Sequence, residues 1–373
     1  MTKFEKIKKN FGFGCMRLPM KGEEVDLEEF ACMVDLFMES GFNYFDTAKS
    51  YIGGRSETAI KACIADRYPR ESFVLTNKLT FNQFNTEDEI IPLVERQLES
   101  CGVEYFDFYL MHYQNKSFFH RYREKHAYEK AFELKATGKV KHVGISFHDT
   151  AEVLEEILTT YPELEVVQLQ FNYLDYEDNA IQSRKCYELC EKYGKPVIVM
   201  EPVKGGSLAN LSQEAEKPFR DLGDGFSNAS YAVRFAAGFD NIMMVLSGMS
   251  SFEQMRDNLG HMKDFKPLDE RELEAVWKVR DILNSYDAVP CTACRYCVDG
   301  CPMKIRIPEL FADMNAKRSG VEGNSDLYYF NHVMSGGKPE DCIKCGQCEI
   351  ACPQHIKIRD MLEEVVKTFA KKD

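Results

Sequence analysis

Short, mainly apolar runs alternate along the chain with longer stretches whose apolar residues recur every three to four positions. The runs Phe11–Arg17, Asn43–Ala48, Phe73–Lys78, Phe106–His112, His142–Phe147, Val166–Phe171, Pro196–Glu201 and Ile242–Ser247 are candidate strands. Most are rich in Val, Ile, Phe and Tyr and show little polar alternation at their centres. A sheet covered on both faces requires that pattern. The stretches between them, among them Leu27–Ser40, Ser56–Arg67, Thr86–Ser100, Glu124–Ala136 and Asn179–Tyr193, read as helices. Gly41, Gly102, Gly138 and Gly194 stand just past helical stretches, where a left-handed residue stops a helix. Strand and helix alternating in this way predict an α/β fold, a (β/α)8 barrel over residues 1–262. A doubly wound sheet is the other arrangement of such elements. No G-x-G-x-x-G opens a helix after a strand, however, and Gly12-Phe-Gly14 lacks the third glycine.

The pattern changes after the barrel. Residues 263–289 read as a connecting segment built on one helix, Asp269–Ser285, with Leu273, Trp277 and Leu283 near one face. Cysteine then dominates residues 290–373. Eight of the chain's 14 cysteines form two identical C-x2-C-x2-C-x3-C-P runs, Cys291, Cys294, Cys297 and Cys301, then Cys342, Cys345, Cys348 and Cys352. The other six, Cys15, Cys32, Cys63, Cys101, Cys186 and Cys190, are scattered and read as small core or boundary residues.

A 4Fe–4S cube needs four thiolates, and a run of this spacing wraps three of them around one cluster. Two structural zinc sites are the other reading. Zinc thiolates usually come as paired C-x2-C units with a long spacer between them, unlike four cysteines in a short run ending in Cys-Pro. The segment resembles dicluster ferredoxin domains, and the length of residues 302–341 makes it more like the helical ones of multi-subunit oxidoreductases. That resemblance implies a small, mainly helical domain with two 4Fe–4S clusters and crossed ligation. One cluster takes Cys291, Cys294, Cys297 and Cys352. The other takes Cys342, Cys345, Cys348 and Cys301.

In the barrel, Asp46, Lys78 and His112 end three successive candidate strands, and Tyr51 lies on the loop after Asp46. The C-terminal strand ends form the active-site face of such a barrel. The chemistry this set supports is proton donation to a carbonyl. A free tyrosine has a pKa of about 10, and a lysine ammonium beside it is expected to lower that value. A carboxylate holds the lysine, and the imidazole orients the substrate oxygen. Hydride must come from elsewhere, and nicotinamide is the natural source.

The stretch Gly41-Phe-Asn-Tyr-Phe-Asp-Thr-Ala-Lys-Ser-Tyr51, with Gly54, Ser56 and Glu57 after it, resembles the aldo-keto reductase signature. The start Gly12-Phe-Gly-Cys-Met-Arg-Leu-Pro19 is also similar to that family. The resemblance covers about residues 1–260 and implies a catalytic tetrad of Asp46, Tyr51, Lys78 and His112. It implies that Ser146 and Gln168 bind the nicotinamide carboxamide. Phe147 replaces a frequent asparagine there, and Met200 a frequent stacking tyrosine. Lys204, Gly205, Gly206, Ser207 and Leu208 fall at a pyrophosphate loop, and Gly248, Gln254 and Asn258 at the adenosine end. The loop Gly248-Met-Ser-Ser, with only Arg256 beyond it, lacks the Lys or Arg that 2′-phosphate-preferring members often place there, which leans toward NADH over NADPH.

The net charge of −13 argues against a nucleic-acid partner. Neither a signal peptide nor a membrane span is expected, so the cytoplasm is the expected compartment. The function expected is NAD(P)(H)-dependent carbonyl reduction or alcohol oxidation on a small molecule, with the clusters passing electrons to or from a redox protein partner. Two other readings stay open. In one, the barrel is a docking platform for an electron-transfer protein; in the other, the clusters are purely structural.

Overall fold

The computed structural model describes residues 4–318 and 325–370. Its strands are β1 (Phe11–Gly14), β2 (Met20–Lys21), β3 (Glu24–Val25), β4 (Tyr44–Asp46), β5 (Val74–Leu79), β6 (Phe106–Gln114), β7 (Val140–Phe147), β8 (Val166–Gln170), β9 (Val197–Met200) and β10 (Ile242–Gly248). β1 and β4 to β10 close into a barrel in the order β1-β10-β9-β8-β7-β6-β5-β4, and β2 and β3 form a separate two-stranded ribbon. Every barrel pairing is parallel. Closure rules out the doubly wound sheet. β5 and β6 are buried along their whole length, their polar residues included. Tyr44, Phe108, Leu110, Val166, Ile198 and Leu246 share one buried cluster, so the barrel interior is a packed core.

The helices beside the barrel strands are α1 (Leu27–Glu39), α2 (Arg55–Ile60), α3 (Ile90–Cys101), α4 (Lys116–Glu124), α5 (Ala127–Ala136), α6 (Ala151–Thr160), α7 (Ser183–Lys192), α8 (Gln213–Arg220), α9 (Asn228–Ala237) and α10 (Phe252–Met262). α1 shows how they form. The Asp26 side chain caps its start by accepting from Glu29 N at 3.2 Å. Phe30, Met33, Val34 and Phe37, spaced by three and four, make its buried face. α3 ends at Gly102 with φ of 68°, and a Cβ there would also lie 2.8 Å from Lys61 Cγ.

Two expected helices differ in detail. Glu124–Ala136 is divided, because His126 takes φ of 50° and separates α4 from α5. Ser56–Arg67 is α2 followed by a wide turn over Lys61–Ala65.

The chain divides into two compact units. One comprises Met1–Val203 and Leu222–Glu274; the other comprises Lys204–Asp221 and Ala275–Asp373. α11 (Glu270–Asn284) runs through the boundary. The second unit also holds α12 (Tyr296–Asp299), α13 (Ile307–Arg318), α14 (Ser325–Met334), α15 (Gln347–Ile350) and α16 (Ile358–Phe369). Leu310, Phe311 and Met314 of α13 and Ile358, Leu362 and Val365 of α16 form its core together with Cys297 and Cys352. Among the described residues no helix is long and apolar enough to cross a membrane.

Candidate functional site

The parallel registers bring polar side chains to the C-terminal mouth of the barrel. Asp46 pairs in register with Gly14 of β1 and Thr76 of β5, and Lys78 with Leu110 of β6. Lys78 Nζ donates to Asp46 Oδ1 at 2.5 Å and to the Thr47 carbonyl at 2.9 Å. Gln168 Nε2 reaches the other carboxylate oxygen, Asp46 Oδ2, at 3.1 Å. Lys78 Nζ lies 4.8 Å from the centre of the Tyr51 ring, and the His112 ring is 6.1 Å from the same ring. Thr80 Oγ1 sits 2.8 Å from His112 Nδ1. The four tetrad candidates, Asp46, Tyr51, Lys78 and His112, are thus buried side chains of one cluster.

Strained backbone marks the same mouth. Ile52, Tyr113 and Glu201 follow Tyr51, His112 and Met200 directly, and take φ of 49°, 59° and 57°. A β-branched residue such as Ile52 seldom adopts that conformation, and such strain persists only where the surroundings impose it.

Burial governs the protonation states. It holds the His112 imidazole well below its ordinary value, and the nearby Lys78 charge acts in the same direction. It pushes Asp46 up and Lys78 down, while each partner restrains the other. For Tyr51 the sequence suggested a phenol lowered by its lysine. Burial first and the Asp46 carboxylate second instead raise it well above the usual phenol value. The lysine charge is spent on Asp46, so the pair offers the phenolate little net attraction.

A second tier of side chains backs Lys78, and strand-end reasoning did not find it. Asn77 Nδ2 and Gln97 Nε2 both donate to Glu57 Oε1, at 3.0 and 3.2 Å. Gln97 Nε2 is also 3.1 Å from the Lys78 carbonyl, and Tyr109 Oη donates to Gln97 Oε1 at 2.6 Å. Glu57 is fully buried and paired with Lys49 Nζ at 3.3 Å.

The expected nucleotide contacts fall in three places. Ser146 and Gln168 are register partners on β7 and β8, both buried. Ser146 Oγ is 3.4 Å from His148 Nε2 and 3.9 Å from Met200 Sδ, and Phe147 is buried beside it. Asn258 Nδ2 donates to Ser247 Oγ at 3.2 Å, while its own Oδ1 is buried without a hydrogen-bond partner. Gln254 Oε1 accepts from Ser250 N at 2.8 Å, close to Gly248 at the end of β10. The Lys204–Leu208 turn belongs to the second unit. There Lys204 is buried, with Nζ 3.0 Å from Gln354 Oε1, and Ser207 Oγ donates to the Lys204 carbonyl.

Two four-cysteine hollows occupy the second unit. Cys291, Cys294, Cys297 and Cys352 line one. Cys301, Cys342, Cys345 and Cys348 line the other. Each hollow draws three cysteines from one run and the fourth from the other. Ile307 borders both. Among the described residues no three His, Cys, Asp or Glu side chains converge tightly enough to share one metal ion. Burial raises the thiols of Cys297 and Cys352, and burial followed by Glu349 lifts Cys348 to about 11. Thiols in this setting ionise readily only against a cation they bind.

Of the remaining cysteines, Cys15, Cys63, Cys101, Cys186 and Cys190 are buried and Cys32 is exposed.

Comparisons with known proteins follow this division. A family model described as a 4Fe-4S dicluster domain matches residues 290–356. The NADH-specific methylglyoxal reductase of Escherichia coli is 28% identical over 204 residues, 49% of this chain and 60% of that protein. The 9,11-endoperoxide prostaglandin H2 reductase of Trypanosoma cruzi is 26% identical over 200 residues, 52% of this chain and 66% of that protein. The chain thus spans less than two thirds of the length of either relative. A solved aldo-keto reductase from Klebsiella pneumoniae, in complex with NADPH, superposes with a TM-score of 0.59 at 17% identity, covering 74% of this chain and 95% of that one. The aldo/keto reductase family model runs through residues 10–281, across every strand of the barrel and the side chains gathered at its mouth, and the chain belongs to that family.

Proposed function

We propose that the barrel, residues 1–262, reduces the carbonyl of a small molecule or oxidises the matching alcohol with a nicotinamide nucleotide. A connecting helix at 263–289 leads to a domain at 290–373 that carries two 4Fe–4S clusters. The observation that carries the reading is the buried Asp46–Lys78 pair beneath the Tyr51 ring, with His112 alongside.

Nicotinamide, when bound, supplies the hydride. Tyr51 Oη gives the proton to the carbonyl oxygen as hydride arrives at carbon. Lys78, held by Asp46 and the Thr47 carbonyl, stands beside the Tyr51 ring and, as an ion pair with Asp46, fixes that side of the site. The Thr80 hydroxyl holds His112 at Nδ1, and Nε2 of the ring is the atom that steadies the substrate oxygen. Ser146 and Gln168 hold the carboxamide, with Gln168 also tied to Asp46. The unpartnered Asn258 Oδ1, near Gly248 and Gln254, suits the adenosine end. The Gly248–Ser251 loop lacks a cation for a 2′-phosphate, which favours NADH, as in the NADH-specific relative.

The Cys291/Cys294/Cys297/Cys352 and Cys301/Cys342/Cys345/Cys348 sets would hold the two cubes, which would supply one-electron chemistry for exchange with a redox protein. Hydride carries two electrons, and two cubes together store two. A purely structural role for the clusters predicts that dithionite-reduced protein gives no electrons to NAD+ or NADP+.

Tyr51→Phe tests the barrel. It removes only the hydroxyl, so melting temperature and nucleotide affinity should hold. Turnover with any accepted carbonyl should fall by roughly 10²–10⁴-fold, the worth of general acid catalysis. Wild-type turnover in this variant would end the assignment.

A further inference from the structure

Lys204 belongs to the second unit and has no part in the proton chemistry proposed above. It is 4% exposed, and its Nζ lies 3.0 Å from Gln354 Oε1. Gln354 follows Cys352 by two residues and lines the first hollow, as does Thr292, next to Cys291. The turn is fixed against that lining at a second point. Gly205 has φ of 66°, and a Cβ there would sit 2.5 Å from the Thr292 carbonyl oxygen and 2.9 Å from its Cα. Only glycine allows so close an approach. Lys204 itself takes φ of 46°, a strained conformation that needs firm support. The chain therefore places a cationic side chain, in a definite position, one side chain behind the wall of a four-cysteine hollow.

Each hollow also has one lining arginine that is partly exposed and paired with a carboxylate, Arg295 with Glu309 at the first and Arg359 with Glu349 at the second. Cys345 at the second hollow is exposed. In the first hollow Cys297 and Cys352 are buried. Reduction adds one negative charge to a cube that four thiolates already make anionic. In a buried setting that charge is costly, and a fixed cation nearby counts for more than it would in water.

We propose that Lys204 is a tuning residue of the first cluster: held on the cluster lining through Gln354, its charge stabilises the reduced cube of Cys291, Cys294, Cys297 and Cys352 and raises its reduction potential. This rests on reading the hollows as cluster sites. It gives Lys204 a role at the cluster instead of at the nucleotide pyrophosphate. The step is a one-electron reduction, with dithionite as the reductant, and no bond forms or breaks.

The test is an anaerobic redox titration of the full chain followed by electron paramagnetic resonance, beside nucleotide binding measured by fluorescence. Lys204→Met should lower one of the two cluster midpoints and leave the other in place. Lys204→Gln, which keeps a hydrogen-bonding side chain without the charge, should do the same, and Lys204→Arg should restore the wild-type midpoint. NADH and NADPH affinity should stay within twofold of wild type. Unchanged midpoints, or a tenfold loss of nucleotide affinity without a midpoint shift, overturn the proposal. Loss of iron from both neutral variants also overturns it, because Lys204 is then a strut and its charge is incidental. Wild-type protein without two clusters would defeat the cluster reading itself, a separate result visible before any variant is made.

Discussion

Cys294→Ala combined with Cys352→Ala removes side chains from both sequence runs, yet both come from the same hollow. Cys294→Ala combined with Cys301→Ala removes two from a single run, but one from each hollow. The two variants delete the same number of thiols and should behave in opposite ways. The full chain should hold about eight irons, four in each cube. The first variant leaves Cys301, Cys342, Cys345 and Cys348 complete, so about four irons and one unaltered cluster signal should remain. In the second no cube keeps four thiolates, so neither signal survives unaltered. Iron should then fall below about four when a chelator is added. Anaerobic purification, iron and sulfide analysis and resonance spectra of dithionite-reduced protein measure all of this. The reverse pattern would show that each run ligates its own cluster. About two zincs and no sulfide in the wild type would refute the cube altogether.

The barrel yields predictions of its own. Asp46→Asn leaves Lys78 buried without its carboxylate, at a cost of about 3–5 kcal/mol in urea unfolding followed by circular dichroism. Adding Lys78→Met should recover most of that loss, and a double variant no more stable than the single would count against the pair. Burial keeps His112 neutral and Tyr51 protonated, so kcat/KM for carbonyl reduction should show no inflection near the ordinary imidazole value of about 6.5. An inflection there that His112→Asn abolishes would show the imidazole ionising. For Glu165, burial opposes ionisation, but hydrogen bonds from His142 and Lys135 prevail and lower its carboxyl from 4.5 to about 2. A depressed carboxyl stabilises the fold above its unfolded value and loses that contribution as pH falls through the folded one. Glu165→Gln should therefore cost up to about 3 kcal/mol at neutral pH, and the difference from wild type should shrink between pH 4.5 and 2.

The barrel was legible because burial on both faces leaves its mark on every strand. All eight expected strands form, with ends shifted by a few residues. The breaks within helices were not legible. His126 and Gln182 take left-handed backbone at the starts of α5 and α7, and no glycine or asparagine marks either place. The small ribbon of β2 and β3 has two residues a side, too few for a period to show.

Direct chemistry was more legible than its support. Asp46, Lys78 and His112 stand out because a charged or ionisable residue ending an apolar strand demands a partner, and Cys-x2-Cys spacing states its own geometry. Glu57, Gln97 and Thr80 act through side chains that sequence places far from those they touch, and nothing in their local pattern names the partner. Lys204 is the sharpest case. In the chain it follows β9 by four residues and sits in a glycine-rich turn, which in a barrel suggests a phosphate. Its hydrogen-bond partner Gln354 lies 150 residues away, beside a cysteine that belongs to the other run's hollow. A motif specifies which atoms a residue offers. The packing of Gly205 on Thr292, which no local pattern encodes, fixes the turn that carries Lys204.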